Sequence, residues 1–195
     1  MSQRSLFSDA QVGPPGFDYQ PEFIGEDAAS ALILAIAQMP LAEAEYKQYR
    51  AHRRVLHFGG RYDYSKNELL PANPWPDILI PLRDRIAERV PIEPTAFTHA
   101  MVAEYRPGTQ LGWHRDVPDF EIVAGVSLGA PAVLQFRPYP PVGITRKDVL
   151  NAHLEPRSMY VLRDAVRWNW QHRVPPVKAL RYSVTFRTLR SPPPA

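Results

Sequence analysis

Proline is the feature that most restricts how this chain can fold, since 22 of its 195 residues are proline. A proline inside a helix removes a hydrogen bond and clashes with the preceding turn. Inside a sheet it is confined to edges and bulges. The sequence therefore predicts a sheet-rich body of short strands joined by many loops.

The composition narrows the class of protein further. Hydrophobic residues make up 45% and charged residues 22% of the chain, which is typical of a soluble globular domain. No apolar run approaches the roughly 20 residues of a membrane helix, and no apolar signal core follows the N-terminus. We therefore expect a cytoplasmic monomer with no membrane contact. The absence of cysteine excludes disulfides, thiolate zinc sites and cysteine nucleophiles, so any metal must be held by His, Asp or Glu.

The order of the patterns predicts one domain at residues 23–190, preceded by an extended arm at 1–22 and followed by a frayed tail at 191–195. Apolar residues at helical spacing predict helices at 26–39 and 78–90. Short runs of strand-forming residues predict strands at 55–58, 97–105, 122–128, 132–136, 149–154, 158–162 and 180–188. Helices first and strands afterwards favour an α+β fold in which the strands close into a barrel or a two-sheet roll.

His114 and Asp116 are two good metal ligands separated by one residue. Because side chains alternate along an extended strand, an imidazole and a carboxylate at this spacing converge on one point. A histidine from a later strand would complete a set of two histidines and one carboxylate, which is diagnostic of non-haem Fe(II) oxygenases. Both His153 and His172 follow Asp116 and are candidates for that position.

The segment from Arg181 to Arg187 places Arg181, Ser183, Thr185 and Arg187 on one face of a strand and three apolar side chains on the other. Two arginines rarely enter a small barrel unpaired, and the segment contains no acidic residue. A small dicarboxylate bound by the guanidinium groups would satisfy them. The alternative is that both arginines reach the rim and meet solvent.

Together these motifs resemble the AlkB branch of the Fe(II)/2-oxoglutarate dioxygenases, over roughly residues 55–190. The ordered match is Tyr105-x-Pro107-Gly108, His114-x-Asp116, His172 and Arg181-Tyr-x-x-Thr-Phe-Arg187. The resemblance implies a double-stranded β-helix, the cupin-like jelly-roll, with the N-terminal helices packed on one sheet. The arginine and tryptophans before His172 also match the residues that precede the distal histidine in the family. This match favours His172 over His153.

The resemblance further implies roles for individual residues. Fe(II) would be held by His114, Asp116 and His172. The co-substrate 2-oxoglutarate would be held by Arg181, with Tyr105, Ser183 and Arg187 contributing. O2 is the second co-substrate. Aromatic side chains of a lid, Tyr62 and Tyr64, would stack on the target base.

The implied reaction is oxidative dealkylation of N-alkylated nucleobases in DNA or RNA, in a single strand or on a flipped base, giving succinate, CO2 and formaldehyde. Three positions depart from the family pattern: Ala103 and Ser183 replace asparagines, and Pro118 stands where some members carry an acidic substrate contact. These departures leave open the same chemistry on a protein side chain or a small metabolite. A non-catalytic barrel is the third alternative, and the complete ligand set argues against it.

Overall fold

The computed structural model describes residues 13–46, 49–63 and 68–190. It contains three α-helices: α1 Glu26–Ala37, α2 Ile80–Arg89 and α3 Asp164–Asn169. The first seven strands are β1 Phe17–Gln20, β2 Ala42–Tyr46, β3 Tyr49–Phe58, β4 Gly60–Asp63, β5 Glu68–Pro71, β6 Phe97–Tyr105 and β7 Leu111–His114. The remaining six are β8 Phe120–Gly129, β9 Ala132–Pro138, β10 Leu150–Leu154, β11 Met159–Leu162, β12 Trp170–Val174 and β13 Arg181–Leu189.

Two antiparallel sheets face each other. The larger sheet has the strand order β1-β11-β8-β13-β6-β3-β2, and the smaller has the order β10-β9-β12-β7. Strands β4 and β5 form a separate hairpin. One apolar cluster joins the inner faces of both sheets, including Ala103 from the larger and Phe136 from the smaller. This is the α+β jelly-roll architecture that the sequence predicts.

A second apolar cluster packs the N-terminal helices against the outer face of the larger sheet. Ile36 of α1 and Ile86 of α2 are fully buried there against Val184 and Phe186 of β13. Trp75, which lies between two prolines, stacks on Phe186 with ring centroids 5.7 Å apart and so joins the same cluster. The helices therefore cover the back of the sheet, and its front is left to the space between the sheets.

Strand β13 lies in the middle of the larger sheet, between β8 and β6. Its apolar residues Tyr182, Val184 and Phe186 belong to the helix-facing cluster. Because alternate residues face opposite sides, the set Arg181, Ser183, Thr185 and Arg187 faces the space between the sheets. All four are buried, which excludes the alternative of arginines at a solvated rim.

Most predicted elements are found with boundaries shifted by a few residues, and the turn after Tyr105 is present, with Gly108 at φ 84°. The main elements that the sequence did not predict are short. Strands β7 and β12 carry only four and five residues, and α3 has six, too few to show a clear period. The predicted strand at 55–58 is the end of the longer β3, and the predicted polar loop after it contains the β4–β5 hairpin.

Candidate active site

Strands β7 and β12 bring His114 and His172 together. The two residues are direct partners in the antiparallel register, and their ring centroids lie 4.2 Å apart. Asp116 follows two residues after His114, and its Oδ2 lies 3.5 Å from Nε2 of His172. One ligand atom from each of the three lies within 4.8 Å of the others, so the cluster can hold one metal ion.

Asp116 is fixed by Arg187, which comes from the far end of β13. Nε and Nη2 of Arg187 both donate to Oδ1 of Asp116, each at 2.9 Å. Burial alone would raise the pKa of this carboxyl, but the nearby cations, Arg187 first, hold it well below its usual range. Asp116 is therefore a carboxylate, with Oδ1 used by the guanidinium and Oδ2 turned towards the histidines.

Both histidines of the cluster are held neutral. Burial, with a smaller contribution from His114, lowers the pKa of His172 to about 3, and burial also lowers the pKa of His114 despite the neighbouring Asp116. Nδ1 of His114 donates to the carbonyl oxygen of Gly112 at 2.9 Å. That contact leaves Nε2 of His114 with a free lone pair, the form that binds a metal ion.

A chain of hydrogen bonds continues from Arg187 through two further histidines. Nη1 of Arg187 donates to Nδ1 of buried His99 at 3.3 Å, so the hydrogen of His99 must lie on Nε2. Nε2 then donates to Nδ1 of His57 at 3.1 Å. Burial, together with Arg187, lowers the pKa of His99 to about 2, which agrees with the neutral tautomer that this chain requires.

The other end of β13 carries a different arrangement. Arg181 is 1% exposed and lies opposite Tyr105 in the register with β6, its guanidinium carbon 4.9 Å from the tyrosine ring centroid. Its Nε donates to the hydroxyl of Ser127 at 3.1 Å, while its Nη1 is buried without a hydrogen-bond partner among the described residues.

Arg53 of β3 approaches the same tyrosine, and its Nη1 donates to the Tyr105 hydroxyl at 3.3 Å. Its Nε is likewise buried without a partner in the described part of the chain. Burial raises the pKa of the Tyr105 phenol, but Arg53 and Arg181 outweigh burial and the net shift is downward. Two guanidinium groups and a phenol thus form a positively charged recess.

A single cavity of about 1700 Å³ joins the two ends of β13. It is lined by the His114, Asp116 and His172 cluster at one end and by the recess around Arg181 at the other. Tyr62 of the β4–β5 hairpin and Trp168 of α3 also line it. The cavity therefore connects a candidate metal centre, a positively charged recess and aromatic side chains.

Comparison with known families agrees with this geometry. The model of the 2OG-Fe(II) oxygenase superfamily matches residues 26–187, which is most of the chain. The chain belongs to the 2OG-Fe(II) oxygenase superfamily. Members of this superfamily use Fe(II), 2-oxoglutarate and O2, the cofactors that the sequence predicts.

Several curated relatives of this 2OG-Fe(II) oxygenase are AlkB homologues. The human alpha-ketoglutarate-dependent dioxygenase alkB homolog 3 is 27% identical over 144 residues, 68% of this chain and 49% of the relative. The alkylated DNA repair protein ALKBH8 homolog of Arabidopsis thaliana is 24% identical over 219 residues, 95% of this chain and 61% of the relative. This chain therefore spans about half the length of the first relative and less than two thirds of the second.

Among solved structures, that of OsALKBH1 is similar in fold, with a TM-score of 0.72 at 14% identity over 91% of this chain and 99% of that chain. The comparison supports the AlkB-like jelly-roll. Within the described residues, no helix combines the length and apolarity needed to cross a membrane.

The residues present fit the family's cofactors. Two neutral imidazoles and one carboxylate, clustered within 4.8 Å, are the donor set of a non-haem iron centre. The unpartnered guanidinium nitrogens of Arg53 and Arg181 fit a carboxylate group, which a guanidinium binds through two parallel hydrogen bonds. His114, Asp116 and His172 would hold the iron, and the recess around Arg181 would hold the co-substrate.

The structure brings most of the predicted site residues together. Ser183 is buried on the inner face of β13, opposite Ala103 and Ser127 in the register. Tyr62 is half-buried and lines the cavity, whereas Tyr64 falls outside the described residues. His153 lies exposed on β10 and is not part of the cluster, which agrees with the preference for His172 as the third ligand.

Three residues of the site were not predicted. Arg53 lies two residues before buried Val55 on β3, so the two side chains share a face, which is a signal that Arg53 faces inward. Ser127 is a lone hydroxyl in the apolar run of β8, which also indicates a polar contact inside. The contact of His99 with Arg187 has no local signal in the sequence.

Proposed function

We propose that this protein is an Fe(II)/2-oxoglutarate-dependent dioxygenase that oxidatively removes alkyl groups from N-alkylated nucleobases in DNA or RNA. The observation that carries the proposal is the placement of the His114, Asp116 and His172 cluster in the same cavity as buried, unpartnered Arg181. A nucleobase target is supported by the AlkB homologues among the relatives, one of which is named as an alkylated DNA repair protein.

When bound, iron and 2-oxoglutarate react with O2 to hydroxylate a C–H bond of the alkyl group, giving succinate and CO2. On an N-methyl group the hydroxylated product breaks its N–C bond, releasing formaldehyde and leaving the base with an N–H. The side chains of this protein would bind and orient the ion and the substrates, and would exclude water from the cavity. The neutral histidines and the Asp116 carboxylate would hold the ion, while Arg187 binds Oδ1 of Asp116 and so fixes the orientation of the carboxylate.

Arg181, Tyr105 and Arg53 would bind the far carboxylate of 2-oxoglutarate, in the same cavity that the metal-ligand cluster lines. Ser127 fixes the orientation of Arg181 before the co-substrate arrives. This preorganisation reduces the free energy spent on ordering side chains during binding.

Tyr62 on the β4–β5 hairpin is the proposed stacking partner for an extruded base. A base must leave the stack, or come from a single strand, before an enzyme can act on it. Stacking on an aromatic ring contributes about 1–3 kcal/mol per base and tolerates many bases. We extend the proposal to a monomer acting in the cytoplasm, as the sequence predicts, which sizing chromatography and cell fractionation test.

Formaldehyde release tests the proposal. Purified protein with Fe(II), ascorbate and 2-oxoglutarate should release formaldehyde from an N-methylated single-stranded oligonucleotide but not from an N-methylated peptide. Asp116→Ala should abolish both formaldehyde and succinate. Asp84→Ala, which alters an exposed carboxylate on α2, should behave as wild type. Formaldehyde from the peptide alone would overturn the nucleobase assignment in favour of a protein substrate.

A further inference from the structure

The outer face of the smaller sheet carries an unusual concentration of positive charge around Trp113. The guanidinium carbons of Arg137 on β9 and Arg173 on β12 lie 4.6 and 4.7 Å from the centroid of its ring. A groove of about 250 Å³ runs here, and its lining contains Arg137, Arg146 and Arg173 but no acidic residue. Since Trp113 precedes His114 on β7, this groove lies on the opposite face of the sheet from the metal cluster.

The two arginines beside Trp113 are held in place by neutral partners. Nε of Arg137 donates to Gln171 at 2.8 Å, and Nε of Arg173 donates to Gln135 at 2.7 Å. Each glutamine lies directly across the strand pair from its arginine. The guanidinium groups are therefore oriented in advance, while their full positive charge is kept.

No carboxylate among the described residues forms an ion pair with Arg137, Arg146 or Arg173. Asp148 belongs to the turn that borders the groove, but its carboxylate accepts hydrogen bonds from the backbone N–H and the hydroxyl of Thr145. Two cations close to one ring, without an acid, repel each other. An anion that enters the groove relieves this repulsion, and the guanidinium fork matches the geometry of a phosphate as well as that of a carboxylate.

Trp113 borders both the groove and the active-site cavity, so the two surfaces adjoin at the edge strand β7. Arg115 lines the cavity two residues after Trp113, with its guanidinium carbon 3.7 Å from the ring centroid of exposed Tyr139. A chain of cations thus leads from the cavity around the edge of the smaller sheet into the groove.

We propose that this groove binds the phosphate backbone of the single-stranded nucleic acid whose alkylated base occupies the active-site cavity. The inference rests on the proposed function, because it takes the same polyanion as the occupant of both surfaces. A strand that places one base in the cavity carries its flanking phosphates past Arg115 and onto Arg137 and Arg173. The groove then discriminates by strand length and charge, not by base.

Binding of unmethylated oligonucleotides tests the groove independently of turnover. Fluorescence anisotropy would compare wild type with Arg137→Gln/Arg173→Gln, using labelled 12-nucleotide single strands of DNA and of RNA. The matched control is Arg85→Gln/Lys178→Gln, which removes the same charge from two exposed residues that line neither the groove nor the active-site cavity. Arg146→Gln is a second groove variant that leaves the arginine–glutamine contacts intact.

We expect the groove double variant to bind both strands about tenfold more weakly, and the salt dependence to fall by about 0.7 per lost phosphate contact. The control should stay close to wild type. A methylated trinucleotide, too short to reach the groove, should be turned over equally by all variants, whereas KM for a methylated 12-nucleotide strand should rise with kcat unchanged. A difference in wild-type affinity between the DNA and the RNA oligonucleotide identifies which nucleic acid the groove prefers.

Equal binding by wild type and both groove variants would overturn the groove assignment. Equal weakening by the control would also overturn it, since the effect would then be one of net charge. If no methylated strand is turned over by wild type, the proposed function fails, and the anisotropy comparison still decides whether the groove binds nucleic acid.

Discussion

Arg181 and Arg187 lie at opposite ends of the inner face of β13, and both are buried, at 1% and 8% exposure. Arg187 has partners within the chain for each of its three guanidinium nitrogens: Nε and Nη2 donate to Asp116, and Nη1 donates to Thr185 and His99. Arg181 binds one hydroxyl, that of Ser127, and keeps Nη1 without a partner in the described structure. One arginine is neutralised by the fold, and the other is left for a ligand.

The difference is physical, because a buried charge is costly unless it is paired and hydrogen-bonded. At Arg187 the carboxylate of Asp116 meets that cost, and the pair in turn fixes the orientation of a metal ligand. At Arg181 the chain contributes only neutral contacts with Ser127 and Tyr105. The free-energy cost of burying the unpaired Arg181 guanidinium is offset when a carboxylate binds to it. The recess is therefore selective for an anion.

The largest expected effect is that of Arg187→Met. It leaves the Asp116 carboxylate buried without its cation, which typically destabilises a protein by about 3–5 kcal/mol. It also frees Oδ1 of Asp116, so succinate formation should be lost. Urea unfolding and a succinate assay measure the two effects.

Arg89→Met is the matched control for that variant. The ion pair of Arg89 with Asp18 is exposed, at 44% and 31%, so its loss should cost less than about 1 kcal/mol. An Arg187→Met protein as stable as this control would mean that the Asp116 pair contributes nothing to the fold.

Arg181→Met, unlike Arg187→Met, should not lower the free energy of unfolding. Without 2-oxoglutarate, replacing an unpaired buried guanidinium by an apolar side chain should leave the unfolding free energy unchanged or higher. The affinity for 2-oxoglutarate should fall about 100-fold, or about 2.7 kcal/mol. Urea unfolding with Mn(II) in place of Fe(II), with and without 2-oxoglutarate, separates the two effects.

The contrast fails if Arg181→Met loses as much unfolding free energy as Arg187→Met in the absence of 2-oxoglutarate. That result would mean that both arginines are part of the folded core. Loss of the stabilisation by 2-oxoglutarate in Arg181→Met alone would support the recess as the co-substrate site.

The alternation of β13 could be predicted from the sequence because it is local. Three apolar residues alternate with four polar ones, and the period of two places them on opposite faces. The ligand pair His114 and Asp116 was predictable for the same reason, although the strand ends at His114 and Asp116 lies just beyond it.

The partners of these residues could not be predicted from local pattern. Asp116 and Arg187 are separated by 71 residues, and His99 and Arg187 by 88. Such contacts depend on how β6, β8 and β13 are ordered in the sheet, which the periodicity of each strand by itself does not encode. Resemblance to a family supplied the ligand His172, whereas the partners of Arg53 and Ser127 became visible only from the register of the larger sheet.

The smallest expected effect concerns His99, the third partner of Arg187, and it appears only as pH falls. The pKa of His99 is lowered from 6.5 to about 2 in the folded protein, so the unfolded chain binds an extra proton below pH 6.5. Stability from this group is therefore present above pH 6.5 and is lost as pH falls below it.

Glutamine at this position can still accept from Arg187 and donate to His57, but it does not titrate. Between pH 7.5 and 5.5, wild type should lose about 1.4 kcal/mol more unfolding free energy than His99→Gln, because one proton is taken up on unfolding. Urea unfolding of both proteins without metal at the two pH values measures the difference. His114 and His172 titrate alike in both proteins, so they cancel in the comparison. Parallel losses in the two proteins would show that folding does not lower the pKa of His99, and the neutral tautomer that the hydrogen-bond chain from Arg187 to His57 requires would then not be maintained in the fold.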